Sequence, residues 1–305
     1  MIVVFACLTA FIFIVRDKNN NRDRVSESNP AKLSGKPARI VSLAPNLTEI
    51  LFELGLGEEI AAVSSNSDHP PQADDKNKVG AFWQPNAEAI IACKPDLVVT
   101  LWFEQQKAVA DSLNRLGYKT LTLKIEEIEE LFAAIKKIGS ATGCEQRADE
   151  LVKIIRNRMN DLQLKLGSAK KVKVLWVMQV EPLRVAGRDT FINELIGLAG
   201  GENAIGDTLS QYPQIGTEEL LACGAETIIQ SAMGTSNIAQ QQEAAERFWG
   251  RWSSLPAVKN NRIHVVEPDT ILRLGPRICQ GIELIARCLY PETFGQRDDT
   301  MQQSK

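Results

Sequence analysis

The chain is 305 residues long, 44% of them hydrophobic and 24% charged, with a formal net charge of −3. That length allows about two domains of ordinary size, and the apolar fraction is enough to give each a core, so a disordered chain is excluded. A slightly acidic balance with no dense Lys/Arg block argues against a nucleic-acid surface.

The first segment is the exception to solubility. Ile2–Val15 is an almost unbroken apolar run, followed by the polar stretch Arg16–Pro30. It is shorter than the ~18–20 residues of a membrane span and fits the apolar part of an export signal, although it lacks the usual preceding basic residues and a small-x-small cleavage site. Val4-Phe5-Ala6-Cys7 faintly resembles a lipoprotein site, but the chain stays apolar after Cys7, where a lipidated chain turns polar. Residues 1–36 are therefore read as an export signal or membrane anchor plus a polar linker. Everything from residue 37 is expected to lie outside the cytoplasm, anchored by residues 2–15 if the leader is retained.

A first α/β lobe is predicted at 37–142. Arg39–Leu43 reads as a strand, Asn46–Leu54 as an amphipathic helix stopped by Gly55 and Gly57, and Ile60–Ser64 as a second strand. A polar loop over Ser65–Val79 carries Asp68, His69, Pro70 and Pro71. Further on, helices are predicted over Gln105–Leu116 and Glu127–Ile138, with a strand at Lys119–Leu123 between them. Such alternation implies a parallel sheet covered on both faces.

Glu145–Leu166 contains neither Gly nor Pro and repeats apolar residues at mostly three or four positions. This predicts one helix of about 33 Å at ~1.5 Å per residue, a connector within 143–168 that resists bending. The second lobe, 169–293, restarts with a strand at Lys173–Met178 and a helix at Thr190–Leu198. A polar loop follows at Glu202–Gly216, then a strand at Arg262–Val266 and a closing helix at Pro276–Leu289. Residues 294–305 form a polar tail.

The two lobes share a written unit. AEAIIACKPDLVV, starting at Ala87, reappears in diverged form as TEELLACGAETII, starting at Thr217, with Glu88, Ala92 and Cys93 recurring as Glu218, Ala222 and Cys223. An offset of that size is too long for a solenoid period and points to two similar domains. Clefts between domains are where small molecules bind.

Nucleophile elbows, HExxH and nucleotide-binding fingerprints are missing from the sequence; Gly197, Gly200 and Gly201 follow a helix instead of opening one. Two histidines and six cysteines without CxxC spacing offer little for a metal. His264 reads as structural, His69 beside Asp68 as a ligand or acid/base candidate, and Cys93 and Cys223 as buried thiols. The aromatics say more. Phe82 and Trp83 precede the first copy of the repeat, Trp102 and Phe103 follow its strand, and Tyr212 precedes the second copy. Loops at the carboxyl ends of parallel strands line ligand crevices, so a flat apolar binding surface is expected, with Asp269 and Arg273 after the last strand as its polar pair. Trp249 and Trp252, beside Arg247 and Arg251, read equally well as a surface cap.

With RIVSLAPNLTEILFELG at 39–55, VSSNSDHPPQA at 63–73, the first copy of the repeat, and Tyr212 to Glu218, the chain resembles the cobalamin-binding proteins of ABC importers, whose wider family also receives haem and ferric siderophores. The resemblance covers about residues 38–291. It implies two Rossmann-like α/β lobes with parallel sheets on a rigid connecting helix, a ligand cleft between them, and one glutamate per lobe that docks onto the permease. Those glutamates fall on Glu88 and Glu218. The family's pocket aromatics fall on Asn66, Phe82, Leu101 and Tyr212, of which Phe82 and Tyr212 stay aromatic, while Trp102 lies one position from Leu101 and Trp83 one from Phe82. Asp269 and Arg273 keep the polar pair.

The expectation is thus a monomeric, non-enzymatic receptor without a cofactor or protein metal ligand, passing a cobalamin-like corrinoid to an ABC permease and its ATPase. Haem or a ferric siderophore is the alternative cargo. A chelatase-like tetrapyrrole enzyme using His69 and Asp68 is the alternative from another class.

Overall fold

A computed structural model describes residues 36–233 and 237–294; the leader expected at 2–15 and the tail beyond Gln296 lie outside the described residues. Two compact units are present. The N-terminal unit runs to Arg156 and includes the short segment Arg273–Pro276, and the C-terminal unit holds Asn157–Leu272 and the chain from Arg277.

In the N-terminal unit the elements are β1 (Ile40–Ser42), α1 (Pro45–Glu53), β2 (Ile60–Val63), β3 (Asn77–Lys78), β4 (Gly80–Ala81), β5 (Gln84–Pro85), α2 (Ala87–Ala92), β6 (Leu97–Leu101), α3 (Glu104–Arg115), β7 (Thr120–Leu123), α4 (Ile128–Thr142) and the first half of α5 (Glu145–Leu166). Five strands form a parallel sheet in the order β3-β2-β1-β6-β7, and β4 pairs with β5 in a separate antiparallel hairpin. Local chemistry sets the boundaries. Pro45 stands at the start of α1, where its missing N–H costs nothing. The end of α1 is closed from outside, as Arg147 donates from Nη1 to the Leu54 carbonyl at 2.9 Å. Gly80 turns the chain into the hairpin at φ +98, and a Cβ there would sit 2.7 Å from the Gln84 carbonyl oxygen.

The helix α5 occupies the range expected from its Gly- and Pro-free stretch and carries the chain from one unit into the other. In the C-terminal unit, β8 (Val172–Val180), β9 (Leu183–Val185), α6 (Phe191–Leu198), β10 (Gly201–Asn203), α7 (Thr217–Ala222), β11 (Thr227–Ser231), α8 (Ile238–Trp249), α9 (Pro256–Lys259), β12 (Ile263–Val266), α10 (Asp269–Leu272), α11 (Ile278–Leu289) and α12 (Pro291–Phe294) follow. The parallel order is β10-β8-β11-β12, with β9 antiparallel on β8. Thr190 caps α6, its side chain accepting from the Asn193 N–H.

The written repeat is also a structural one. Both copies give a six-residue helix ending on a cysteine C-cap and a strand beside the first strand of its sheet, β6 on β1 and β11 on β8. Both copies then turn through the left-handed region, at Lys94 (φ 47) and Gly224 (φ 62).

Three expectations change. The polar stretches before the two copies hold β3, the β4–β5 hairpin and β10, whose two- or three-residue strands are too short for an alternation to register. Trp249 is no surface cap: it is fully buried in the core of the C-terminal unit with Leu175, Val177, Ile228 and Val265, and only Trp252 remains half-exposed beside it. Cys93 and Cys223 are half-buried, whereas Cys279 and Cys288 are the buried thiols.

Candidate ligand-binding site

In the N-terminal sheet the strand order reverses between β1 and β6: the chain goes from β1 to β2 and β3 on one side, then to β6 and β7 on the other. Ligands of doubly wound sheets sit at the carboxyl ends of the strands at such a point. Here those ends are Leu43 after β1 and Leu101 and Trp102 at the end of β6. The hairpin β4–β5 brings Phe82 and Trp83 to the same place, because the Phe82 carbonyl and the Leu43 carbonyl accept from one side chain, Gln106.

The aromatic side chains expected from the sequence do gather. Phe82 meets Trp83 edge-on at 5.1 Å between ring centres and Phe103 at 6.0 Å, the T-shaped geometry that ring quadrupoles favour. All three are half-buried, as are Leu101 and Trp102. The ammonium of Lys107 lies 4.4 Å over the Trp102 ring. Asn66 supports the cluster, its Oδ1 accepting the Phe82 N–H at 3.1 Å.

A buried hydroxyl chain fixes the loop after β2. Thr48 bonds to Ser42 at 2.8 Å and Ser67 at 3.0 Å, and Ser67 to Ser64 at 2.8 Å. Asp68 follows at once and takes the guanidinium of Arg273 in a two-pronged bond. Arg273 thus holds a residue that the sequence offered as an acid/base candidate with His69. The segment carrying Arg273 is tied to this unit again by Asn46 Nδ2, which donates to the Leu274 carbonyl at 3.0 Å, and by Gly275, where a Cβ would lie 3.2 Å from that of Asn46.

In the C-terminal unit Tyr212 is buried, 5% exposed, in a segment held along β9 by Val185 N–H to the Pro213 carbonyl and Gly187 N–H to the Gln211 carbonyl. Asp269 opens α10 and is half-buried. Glu88 and Glu218 occupy the second helical position of α2 and α7 and are both exposed. Among the described residues no group of three or more His, Cys, Asp or Glu is placed to hold a metal, and no helix is long and apolar enough to cross a membrane.

Gln106 is the residue that the sequence did not announce. The available signal was its spacing: Gln106, Ala110 and Leu113 are the buried residues of α3, one in four then one in three, so a polar amide stands on the apolar stripe.

Parallel α/β units, one with aromatic side chains gathered at its strand ends, suit a protein that binds a small molecule. The chain belongs to the periplasmic binding protein family, which matches residues 40–270, and it is not an enzyme. The uncharacterized ABC transporter substrate-binding lipoprotein YvrC of Bacillus subtilis (strain 168) is 33% identical over 267 residues, 85% of this chain and 82% of YvrC. A possible iron-binding (periplasmic solute-binding) protein from Staphylococcus epidermidis ATCC 12228 shares the fold with a TM-score of 0.74 and 29% identity over 84% of this chain and 99% of its own. The periplasmic vitamin B12 binding protein BtuF of Vibrio cholerae does so with a TM-score of 0.71 and 25% identity, over 85% and 99%.

Proposed function

We propose that this protein is the periplasmic receptor of an ABC importer and that its cargo is a cobalamin-like corrinoid. The observation that carries the reading is the half-buried aromatic cluster at the switch point of the N-terminal unit, where Phe82 meets Trp83 and Phe103 beside Leu101 and Trp102, side chains suited to a flat macrocycle, with Arg273 addressing its polar side chains and Asn66 holding Phe82. Stacking and shape, not a protein-metal bond, supply the affinity.

Glu88 and Glu218 dock the protein on the permease, which works with an ATPase, and one monomer serves the two halves of the transporter. Retention at the outer face of the inner membrane by residues 2–15 completes the reading. YvrC supports assignment to an importer, and BtuF supports the corrinoid. The S. epidermidis protein, described as possibly iron-binding, favours a second reading, in which the cargo is haem or a ferric siderophore.

The test is the absorption spectrum of the protein purified from its native host, followed by calorimetric titration with cyanocobalamin, haemin and ferrichrome. One cyanocobalamin per chain is expected. Saturation by haemin or ferrichrome with no heat from cyanocobalamin overturns the corrinoid assignment and leaves the importer reading standing.

A further inference from the structure

We infer that Gln106 is a positioning residue for ligand capture: its carboxamide sets the three loop segments that meet where the strand order of the N-terminal sheet reverses. Its Oε1 accepts from the Thr100 hydroxyl at 2.9 Å and the Leu101 N–H at 2.6 Å, and its Nε2 donates to the carbonyls of Leu43 at 2.7 Å and Phe82 at 2.8 Å. A carboxamide has two N–H donors and two lone pairs, and all four are used. The orientation is unambiguous, since a flipped amide would set its oxygen against two carbonyls.

The groups it binds explain why a glutamine stands here. Leu43 lies just past β1, Phe82 at the tip of the β4–β5 hairpin and Leu101 at the last position of β6. Sheet ladders run out at these places, and the side chain takes over as partner. Gln106 and Thr100 are both fully buried, so water cannot replace a lost bond, and each orphaned group keeps its desolvation penalty. A Glu at this position retains the two acceptor bonds but loses both donors and faces two carbonyl oxygens with a charge. A Met keeps the volume and loses all four bonds.

The loops so tied carry Phe82, Trp83, Leu101 and Trp102. Gln106 itself is sealed from solvent and touches no ligand; it acts through those residues. The inference rests on the ligand-binding reading above for the affinity it predicts, while the effect on the loops is independent of any ligand.

The experiment compares the wild-type chain with Gln106→Met and Gln106→Glu. Three quantities are read: cyanocobalamin, haemin and ferrichrome affinity, tryptophan emission, and amide hydrogen exchange. For Gln106→Met, exchange at Phe82 and Leu101 is expected to accelerate at least tenfold with Val98 and Val99 unchanged, and affinity for whichever probe the wild type binds to fall at least tenfold. Gln106→Glu is expected to accelerate Phe82 more than Leu101, because only the donor side is broken.

A folded variant with wild-type affinity, or with unchanged exchange at Phe82 and Leu101, overturns the inference. Should both variants fail to fold, the wild type decides: saturation with the probe is expected to slow exchange of the Gln106 carboxamide protons, and no change overturns the inference. A wild type that binds none of the three probes sinks the proposed cargo, yet the exchange data on the variants still decide whether Gln106 positions the loops.

Discussion

Arg273 grips Asp68 through both terminal nitrogens, Nη2 to Oδ2 at 3.1 Å and Nη1 to Oδ1, across 205 positions of sequence. Its planar fork matches a carboxylate in a way an ammonium cannot. The Arg273 side chain is 17% exposed and that of Asp68 50%, so solvent screens the pair in part. Each of Asp68→Asn and Arg273→Lys is expected to lower stability by about 0.5–1.5 kcal/mol. Urea denaturation of both single variants and the double variant checks this; additive losses would mean that the pair contributes nothing of its own.

Lys94 and Gly224 close equivalent helices in the left-handed region, and only the second is a glycine. A side chain there costs about 1–2 kcal/mol, partly offset by the lower entropy of a non-glycine unfolded chain. Lys94→Gly is therefore expected to raise stability by about 0.5–1 kcal/mol in thermal or urea unfolding, with ligand affinity unaltered. A destabilised variant would show that the lysine side chain makes a contact worth more than the strain.

Glu88 and Glu218 share one helical position in two copies of one motif, and both are exposed. Charges placed this way set orientation and encounter rate at an interface more than fold stability. The double change to Ala is expected to abolish most transport through the cognate importer while leaving ligand affinity within twofold, and each single change to cost less. Transport assays in reconstituted vesicles, beside calorimetry, check it. Normal transport by the double variant would reduce the two glutamates to helix-starting acids that complement the dipole.

Burial pushes the Cys279 thiol up to about 11, with Arg158 drawing it down and Glu283 adding to the rise. At pH 8 it stays a thiol, so alkylation by iodoacetamide is expected to be slow at Cys279 in the native protein and complete in urea, read by peptide mass spectrometry. A folded-state value above the ordinary 9.0 stabilises the fold below pH 9, and that contribution disappears as pH rises toward 11. Cys279→Ala removes this part of the alkaline decline. A steepness unchanged by the substitution would place the decline on other groups.

Much of the fold is local and therefore legible. A stretch without Gly or Pro and with apolar residues at helical spacing becomes α5 over its whole length, and the apolar, β-branched runs at 40–42, 60–63, 97–101 and 227–231 become strands. Self-similarity pairs Glu88 with Glu218 before any coordinates, since two copies of one sequence fold to one local structure. Side-chain period and turn chemistry act over a few residues, and a linear text records them.

The rest depends on contacts between distant residues. The β4–β5 hairpin has strands of two residues each, too short to carry a pattern, and it exists because Gly80 admits a left-handed turn and Gln106 donates to the carbonyl at its tip. Asp68 and Arg273 are a loop acid and a helix-end base until folding brings them together. Gln106 reads as one more polar residue on an ordinary amphipathic helix, and only its burial against three chain segments makes its four bonds matter. Sequence thus determined the longer elements, the duplication and the family, whereas the shortest strands and the partners of the buried polar groups were decided by tertiary structure, because hydrogen bonds in a dry interior select by position in space and leave no spacing rule along the chain.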